Sequence, residues 1–276
     1  MLSRTAFALV PALALGTVAF AAQADIGITL ASSNYSQNFD SLTTSTSSQT
    51  FANDSTLAGW SLFTAAGNAV PSFAADTGSS NAGAFRSFGS TSSTDRALGG
   101  VTSGGAYFGS PTNGAVAGYI ALALNNQTGF TMGSVVLSYT GEQWRNGGNT
   151  SAQSIVLQYG FGATFSAVSS WSAAGSSFDF VTPTTGATAA ALDGNAAANR
   201  VTGIGGALEN LNWANGDTLW LRWQYTNNQG NDHGLAIDDL SLGVLPLPVP
   251  EPASGALLLA GIGAVGLLAR RRSVRR

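Results

Sequence analysis

Side chains that could perform acid–base or nucleophilic chemistry are few in this sequence. It contains one histidine, His233, no cysteine and three glutamates. A hydrolytic triad or a histidine-ligated catalytic metal needs more of these residue types, and no Gly-x-Ser-x-Gly nucleophile motif is present. We therefore predict no catalytic residues, and we expect His233, in the polar stretch NNQGNDHG, to make a structural hydrogen bond.

Glu142 allows two interpretations. With one of the aspartates it could form the paired carboxylates of a glycosidase, which lie about 5 to 9 Å apart. The favoured alternative is an ion pair with Arg145, near Arg222, that closes one end of the fold. Weak glycosidase or lyase activity is kept as an alternative function.

A structural calcium ion is predicted from the stretch GLAIDDLSL, residues 234–242. Because side chains alternate along a strand, either Asp238 or Asp239 shares the core-facing side and needs a partner there. Asp40, in NFDSL on the predicted first strand, is expected to lie beside the last strand. Two or three carboxylates with loop carbonyls suit Ca²⁺. The alternative is that the aspartates sit at a frayed strand end, bonded to backbone amides or water.

Aromatic side chains provide a candidate ligand-binding surface. Of the six tryptophans, Trp144, Trp213 and Trp220 are the least obviously committed to the core. Trp144 and Trp220 are the candidate platform on which a sugar ring would stack, and the alternative is ordinary core and rim packing.

The elements that must position these residues read as β-strands. The body of the chain is rich in Gly, Ser and Thr, lacks Lys, and carries about ten short apolar stretches separated by turn residues. In TLWLRWQY, residues 218–225, Leu219, Leu221, Trp223 and Tyr225 share one face, which is the alternation of a half-buried strand. We predict an all-β, two-sheet antiparallel sandwich (jelly roll) over residues 25–245.

The charge of this body disfavours nucleic acid as a partner. Five arginines stand against thirteen acidic residues between positions 25 and 245. An acidic surface repels phosphate backbones and anionic lipid headgroups.

The N-terminus has the organisation of a secretory signal peptide. Arg4 precedes an apolar run that ends at Phe20, and Ala22 and Ala24 form a small-x-small cleavage pattern. We predict that residues 1–24 are removed and that the mature chain begins at Asp25.

The C-terminus has the organisation of a membrane-spanning segment with a positive tail. Residues 246–252 form a Pro-rich linker, and the apolar run 253–269 would span about 26 Å as a helix, which can just cross a bilayer. Positive residues stay cytoplasmic, so the tail 270–276 places the body outside the cytoplasm. The charges of this tail are Arg270, Arg271, Arg272, Arg275 and Arg276.

The order of Pro250, Glu251 and Pro252, then a short Gly-rich span, then Arg270 to Arg272, resembles the PEP-CTERM sorting signal. The resemblance implies a transient membrane anchor, cut near the Pro-Glu-Pro triplet by an exosortase-type membrane protease of a Gram-negative bacterium. The cleaved protein then goes to the cell surface or the extracellular matrix. A permanent single-span anchor is the alternative.

The body also resembles a jelly-roll module found in exported bacterial proteins. The residues that carry this resemblance are NFDSL (38–42), GW (59–60), FGS (88–90), DRALG (95–99), YTGEQWR (139–145), LDGN (192–195) and the stretch 216–242. The expected function is a non-catalytic structural, adhesive or exopolysaccharide-associated role in a biofilm matrix. A lectin-like carbohydrate-binding module is the alternative from another class.

Overall fold

The computed structural model describes residues 25–247, and this part of the chain is almost entirely β-structure. Its strands form one sheet of seven and one of nine, joined by loops that contain three single-turn 3-10 helices. The all-β, two-sheet prediction is confirmed. The predicted signal peptide with Ala22 and Ala24, and the segments from Pro248 onward, lie outside the described residues.

The seven-stranded sheet has the order β1-β8-β15-β10-β11, with β12 paired to β10 and β4 paired to β8. Its strands are β1 (Ile26–Ile28), β4 (Trp60–Thr64), β8 (Val116–Asn126), β10 (Ser154–Phe161), β11 (Ser172–Ala173), β12 (Phe180–Val181) and β15 (Thr218–Thr226).

The nine-stranded sheet has the order β13-β9-β16-β7-β6-β5-β3, with β14 paired to β9 and β2 paired to β16. Its strands are β2 (Asn34–Gln37), β3 (Gln49–Thr50), β5 (Ser72–Asp76), β6 (Ala84–Phe88), β7 (Ala97–Val101), β9 (Met132–Asn146), β13 (Ala190–Ala191), β14 (Arg200–Leu208) and β16 (Gly234–Pro246).

The sheets are mainly antiparallel, as predicted, but not wholly so. The pairs β1–β8 and β5–β6 are parallel. The jelly-roll topology stays a prediction. Within residues 25–247, no helix has the length and apolar character needed to cross a membrane.

The core lies between the two sheets, because the strands of each alternate as the sequence predicts. On β15, Leu219, Leu221 and Trp223 are buried in one cluster with Leu235 and Ile237 of β16, which belongs to the other sheet. Each buried leucine or isoleucine contributes about 1.5–3 kcal/mol relative to an exposed one, so this alternation stabilises the sandwich.

The last strand carries a bulge at its two aspartates. The register with β9 shifts between Asp238 and Ser241, and Asp239 has a φ of 48°. Before the bulge, β16 also pairs with β7, and after it with β2. The extra residue reverses the alternation, so Ile237 and Leu240 both face the core. The expectation that one aspartate shares the core-facing side is therefore wrong.

Candidate functional site

An arginine surrounded by aromatic rings lies on the outward face of the seven-stranded sheet. Alternation along β15 places Arg222 on the face opposite Leu221 and Trp223, which are in the core. In the register, Arg222 pairs with Gln158 of β10 on one side and with Ala121 of β8 on the other. The next outward residue, Gln224, lies opposite Tyr119 of β8.

The Arg222 guanidinium is held between two rings. Its central carbon lies 4.1 Å from the centre of the Tyr119 ring and 3.8 Å from that of Trp171. Its Nε atom donates a hydrogen bond of 2.7 Å to Oε1 of Gln158. Burial lowers the pKa of Arg222, and Tyr119 opposes this effect. An arginine remains charged at neutral pH, so this stack presents a fixed positive charge.

The loop that carries Trp171 is anchored by its own aromatic contacts. The Phe165 ring stacks on Phe63 with centroids 4.0 Å apart. The indole N–H of Trp220 donates a hydrogen bond of 3.0 Å to the Gly162 carbonyl at the start of the loop. Residues 162–173 therefore cover part of the sheet and hold Trp171 at the edge of the covered area.

We call Tyr119, Gln158, Trp171, Arg222 and Gln224 the Arg222 face. Apart from Tyr119, its side chains are partly exposed. Among the described residues, the Gln224 side chain makes no hydrogen bond, and the bond that Arg222 donates from Nε goes to Gln158. Ring faces with amide and guanidinium donors are suited to binding a polar ligand that has apolar patches, as a sugar does.

The two tryptophans predicted as a platform belong elsewhere. Trp144 is 1% exposed and Trp220 is completely buried. Their indole N–H groups donate to Oε2 of Glu142 and to the Gly162 carbonyl, respectively. A stacking platform needs an exposed ring, so this prediction is corrected. Trp213, which the sequence also left outside the expected core, is completely buried as well.

Sequence reasoning missed Trp171, which is the partly exposed tryptophan. It stands among small and polar residues in SSWSAAGSS. Within this stretch Trp171 is the one large apolar side chain, and its aromatic contact is with Phe165, six residues earlier. That isolation is the signal that distinguishes it from a tryptophan within a strand.

A buried acidic pair lies on the outward face of the nine-stranded sheet. Glu142 is on β9, and Asp238 of β16 lies opposite Thr140, two residues along from Glu142. Burial raises the pKa of Glu142 to about 7, an effect that the hydrogen bond from Trp144 opposes. Burial and the charge of Glu142 raise the pKa of Asp238 to about 9. The pair therefore keeps a proton at neutral pH.

This pair is enclosed rather than open. Glu142 is 1% exposed and Asp238 is 3% exposed. Asp95, Asp239 and Arg200 lie near enough to influence the pKa of Glu142 through their charges. A general acid must reach the bond that it protonates, and neither carboxyl has the exposure for that.

The predicted ion pair between Glu142 and Arg145 is wrong. Glu142 accepts a hydrogen bond from the Trp144 indole, whereas Arg145 donates from Nη1 to the carbonyls of Gly78 and Ser79 at 3.0 and 3.1 Å. Arg222, expected nearby, lies on the other sheet.

The predicted neighbours of the calcium site are close in the fold. β2, which ends just before Asp40, pairs with β16 directly after the bulge, with Leu240 opposite Gln37. Asp40 accepts hydrogen bonds from the Asn38 side chain and the Arg96 backbone N–H, and Oδ1 of Asp238 accepts one from the Asp239 N–H. Among residues 25–247, no three His, Cys, Asp or Glu side chains form a group that could hold a metal ion. Calcium at Asp40, Asp238 and Asp239 stays a prediction.

The structural interpretation of His233 is confirmed. Its ring is buried, and Nδ1 accepts a hydrogen bond of 3.0 Å from the Gly147 N–H, while its own backbone N–H donates to Gln153. Burial lowers the pKa of His233. The ring joins the loop after β9 to the turn before β16.

Comparison with known proteins adds a sorting signal to this sandwich. The family model of the PEP-CTERM protein-sorting motif matches residues 248–273, where the sequence resemblance placed it. The fold and the motif define an exported β-sandwich protein that is anchored transiently at a membrane before surface display. No curated protein matches the chain.

Among solved structures, the chain is similar to the CBM22-1 xylan-binding domain of Paenibacillus barcinonensis Xyn10C. The sequence identity is 7%, the alignment covers 77% of this chain and 94% of the other, and the TM-score is 0.35. At this TM-score the similarity carries no inference about function.

Proposed function

We propose that this protein is a non-catalytic component of an extracellular matrix, which associates with exopolysaccharide through the Arg222 face. The observation that carries the proposal is the Arg222 guanidinium held between Tyr119 and Trp171, beside the unbonded Gln224 side chain. Export and surface sorting follow from the motif at residues 248–273.

The composition of the Arg222 face supports a sugar ligand. The partly exposed Trp171 ring offers a flat apolar surface to sugar C–H groups, while the buried Tyr119 ring supports Arg222 from below. Arginine and glutamine donate to hydroxyl or carboxylate oxygens. Among the described residues no carboxylate forms a hydrogen bond with Arg222, so its remaining N–H groups are available to a ligand. Such a face binds and orients a polymer without reacting with it.

The tail supports a partner of a different kind. We propose that an exosortase-type membrane protease cuts near Pro250, Glu251 and Pro252 and releases the folded body from the apolar run 253–269. This step delivers the Arg222 face to the matrix. The nearest alternative is a lectin. A lectin would bind one defined glycan selectively, whereas the proposed protein associates with the exopolysaccharide of the matrix.

The enzymatic alternative is less favoured. Its best residues are Glu142 and Asp238, and a pKa of about 7 for Glu142 would suit a general acid. However, both side chains are at most 3% exposed, so a polysaccharide cannot reach them without opening of the sheet face. We therefore expect no hydrolysis of the bound polymer.

The proposal is tested by affinity electrophoresis of the mature protein in gels containing the host's exopolysaccharide. Trp171→Ala and Gln224→Ala should each weaken binding about tenfold, since a lost stacking or hydrogen-bonding contact of about 1.4 kcal/mol changes affinity by that factor. Val201→Ala, at an exposed valine on β14 of the nine-stranded sheet, is the matched control and should bind like the parent.

Equal retardation of all three variants and the parent would contradict the proposal. Circular dichroism melts of each variant show whether a loss of binding reflects unfolding. Binding to a single defined glycan on an array, with none to the host polymer, would favour the lectin.

A further inference from the structure

The described chain begins and ends at the same end of the sandwich, which we call the exit end. Ile26 of β1 lies opposite Leu124 near the end of β8, and Pro246 of β16 lies opposite Met132 at the start of β9. The loop that joins β8 to β9 therefore runs past both. The backbone N–H of Leu247, the last described residue, donates to the Thr131 carbonyl in this loop.

The exit end carries large apolar side chains in contact with solvent. Leu30 is 62% exposed and Phe130 is 59% exposed, and the final strand adds Leu245 and Leu247 at 54% and 38%. These four residues make up most of the exposed large hydrophobic side chains in residues 25–247. We call them the exit patch.

Backbone contacts place the members of the exit patch together. The Val244 N–H donates to the Ser33 carbonyl, which joins the loop of Leu30 to the final strand. The Gln127 N–H donates to the Ile28 carbonyl, and Nδ2 of Asn126 donates to the Phe130 carbonyl at 2.8 Å. The loops of Leu30 and Phe130 thus flank the strand from which the tail leaves.

The distance from this patch to the predicted membrane span is short. Five residues lie between Leu247 and Ala253, where the apolar run begins, so six Cα–Cα steps separate the two. A fully extended chain covers at most about 3.3–3.6 Å per residue, so this linker reaches about 20 Å. The polar headgroup layer itself occupies about 5–8 Å of that length. While the tail is intact, the exit end cannot move more than about one strand length from the bilayer.

We propose that the exit patch docks on the lipid surface next to the predicted span before the tail is cut. Apolar side chains at the rim of a protein settle into the boundary between headgroups and acyl chains. Charge does not provide the attraction, because Glu209 lines the shallow depression beside Leu245 and Leu247 and no basic residue does. The fitting surface is therefore the apolar–polar boundary of a zwitterionic bilayer.

Docking would have a consequence for processing. It would hold Pro250, Glu251 and Pro252 at the membrane surface, where an integral-membrane protease works. After cleavage the patch alone would be a weak anchor, since even one acyl chain gives only marginal membrane binding. The exit patch would then hold the uncleaved protein on the bilayer and allow the cleaved protein to dissociate from it.

The test uses the full chain, which contains no native cysteine, so that single-cysteine variants carry one nitroxide label each. Leu30→Cys and Phe130→Cys report on the exit patch, and Val181→Cys and Val201→Cys are exposed controls elsewhere. Each labelled chain is inserted into nanodiscs of phosphatidylcholine. Electron paramagnetic resonance then measures relaxation by oxygen, which concentrates in lipid, and by a water-soluble nickel complex.

We expect the ratio of oxygen to nickel accessibility to rise several-fold at positions 30 and 130 over the controls. Equal ratios at all four positions would overturn the proposal. A rise that requires a co-reconstituted protease would also overturn it, because the patch would then be a protein-binding surface. Leu245→Cys is a second reporter on the final strand should either loop variant fail to fold.

Discussion

The buried pair of Glu142 and Asp238 predicts a stability that falls as the pH rises. An ordinary glutamate has a pKa of 4.5, and burial raises that of Glu142 to about 7. Between these values the folded chain binds more protons than the unfolded chain, so the free energy of unfolding decreases with pH. At about 1.4 kcal/mol per pH unit, Glu142 accounts for a loss of about 3 kcal/mol between pH 4.5 and 7.

Glu142→Gln removes this titration and keeps an oxygen that can accept the hydrogen bond from Trp144. Between pH 4.5 and 7, we therefore expect the free energy of unfolding to decrease by about 3 kcal/mol less in the variant than in the parent. The raised pKa of Asp238 acts in the same direction, and the two carboxyls titrate as a coupled pair, so the effect persists above pH 7. Other buried groups, such as Asp232 and His233, contribute equally to the pH dependence of the parent and of the variant. Their contributions therefore cancel when the two pH dependences are subtracted.

The assay is urea unfolding of residues 25–247 at a series of pH values from 4.5 to 8.5, followed by circular dichroism. Glu209→Gln is the matched control, because it makes the same chemical change at an exposed glutamate. The free energy of unfolding of this control should change with pH as that of the parent does. The reasoning is refuted if Glu142→Gln shows the same pH dependence as the parent and the control.

Three further predictions concern the backbone, the ends and the ion. Gly78→Ala should lower the free energy of chemical unfolding by about 3 kcal/mol more than Gly67→Ala does. Both glycines have positive φ. A Cβ at Gly78 would lie 1.7 Å from the Trp144 carbonyl oxygen, whereas one at Gly67 would meet open space. Intact-mass measurement of surface material should show a chain without residues 1–24 and without the tail beyond Pro252, and a mass that includes residues 253–276 would indicate a permanent anchor. If calcium binds at Asp40, Asp238 and Asp239, a concentration 100 times its dissociation constant should raise the unfolding free energy by about 2.7 kcal/mol, and equal melting in calcium and in chelator would end that prediction.

Local patterns predicted the strands because alternation is a property of neighbouring residues. The stretch 218–225, predicted as a half-buried strand, lies within β15. The prediction for GLAIDDLSL was right about the strand and wrong about the faces. A single residue in a bulge, Asp239, reverses the alternation there, and no spacing rule marks its position.

The candidate site was harder to predict because it depends on pairing between distant strands. Trp144 and Trp220 are buried by loops about 50 to 60 residues away in sequence. Gly194 lies against the Trp144 indole, and the Gly162 carbonyl accepts a hydrogen bond from the Trp220 indole. Arg222 gains its importance from Tyr119 and Trp171, more than 50 residues away, and that juxtaposition arises only when β8, β10 and β15 assemble.

The most direct test of the Arg222 face uses the tryptophan that forms it. Five of the six tryptophans are at most 1% exposed, and Trp171 is the partly exposed one, so it should supply most of the fluorescence that acrylamide quenches. Trp171→Phe should abolish that quenchable component. In the parent protein, saturating exopolysaccharide should protect Trp171 and reduce the quenching to the level of the variant. Unchanged quenching in the presence of bound polysaccharide would contradict the account, because the polymer would then occupy another surface.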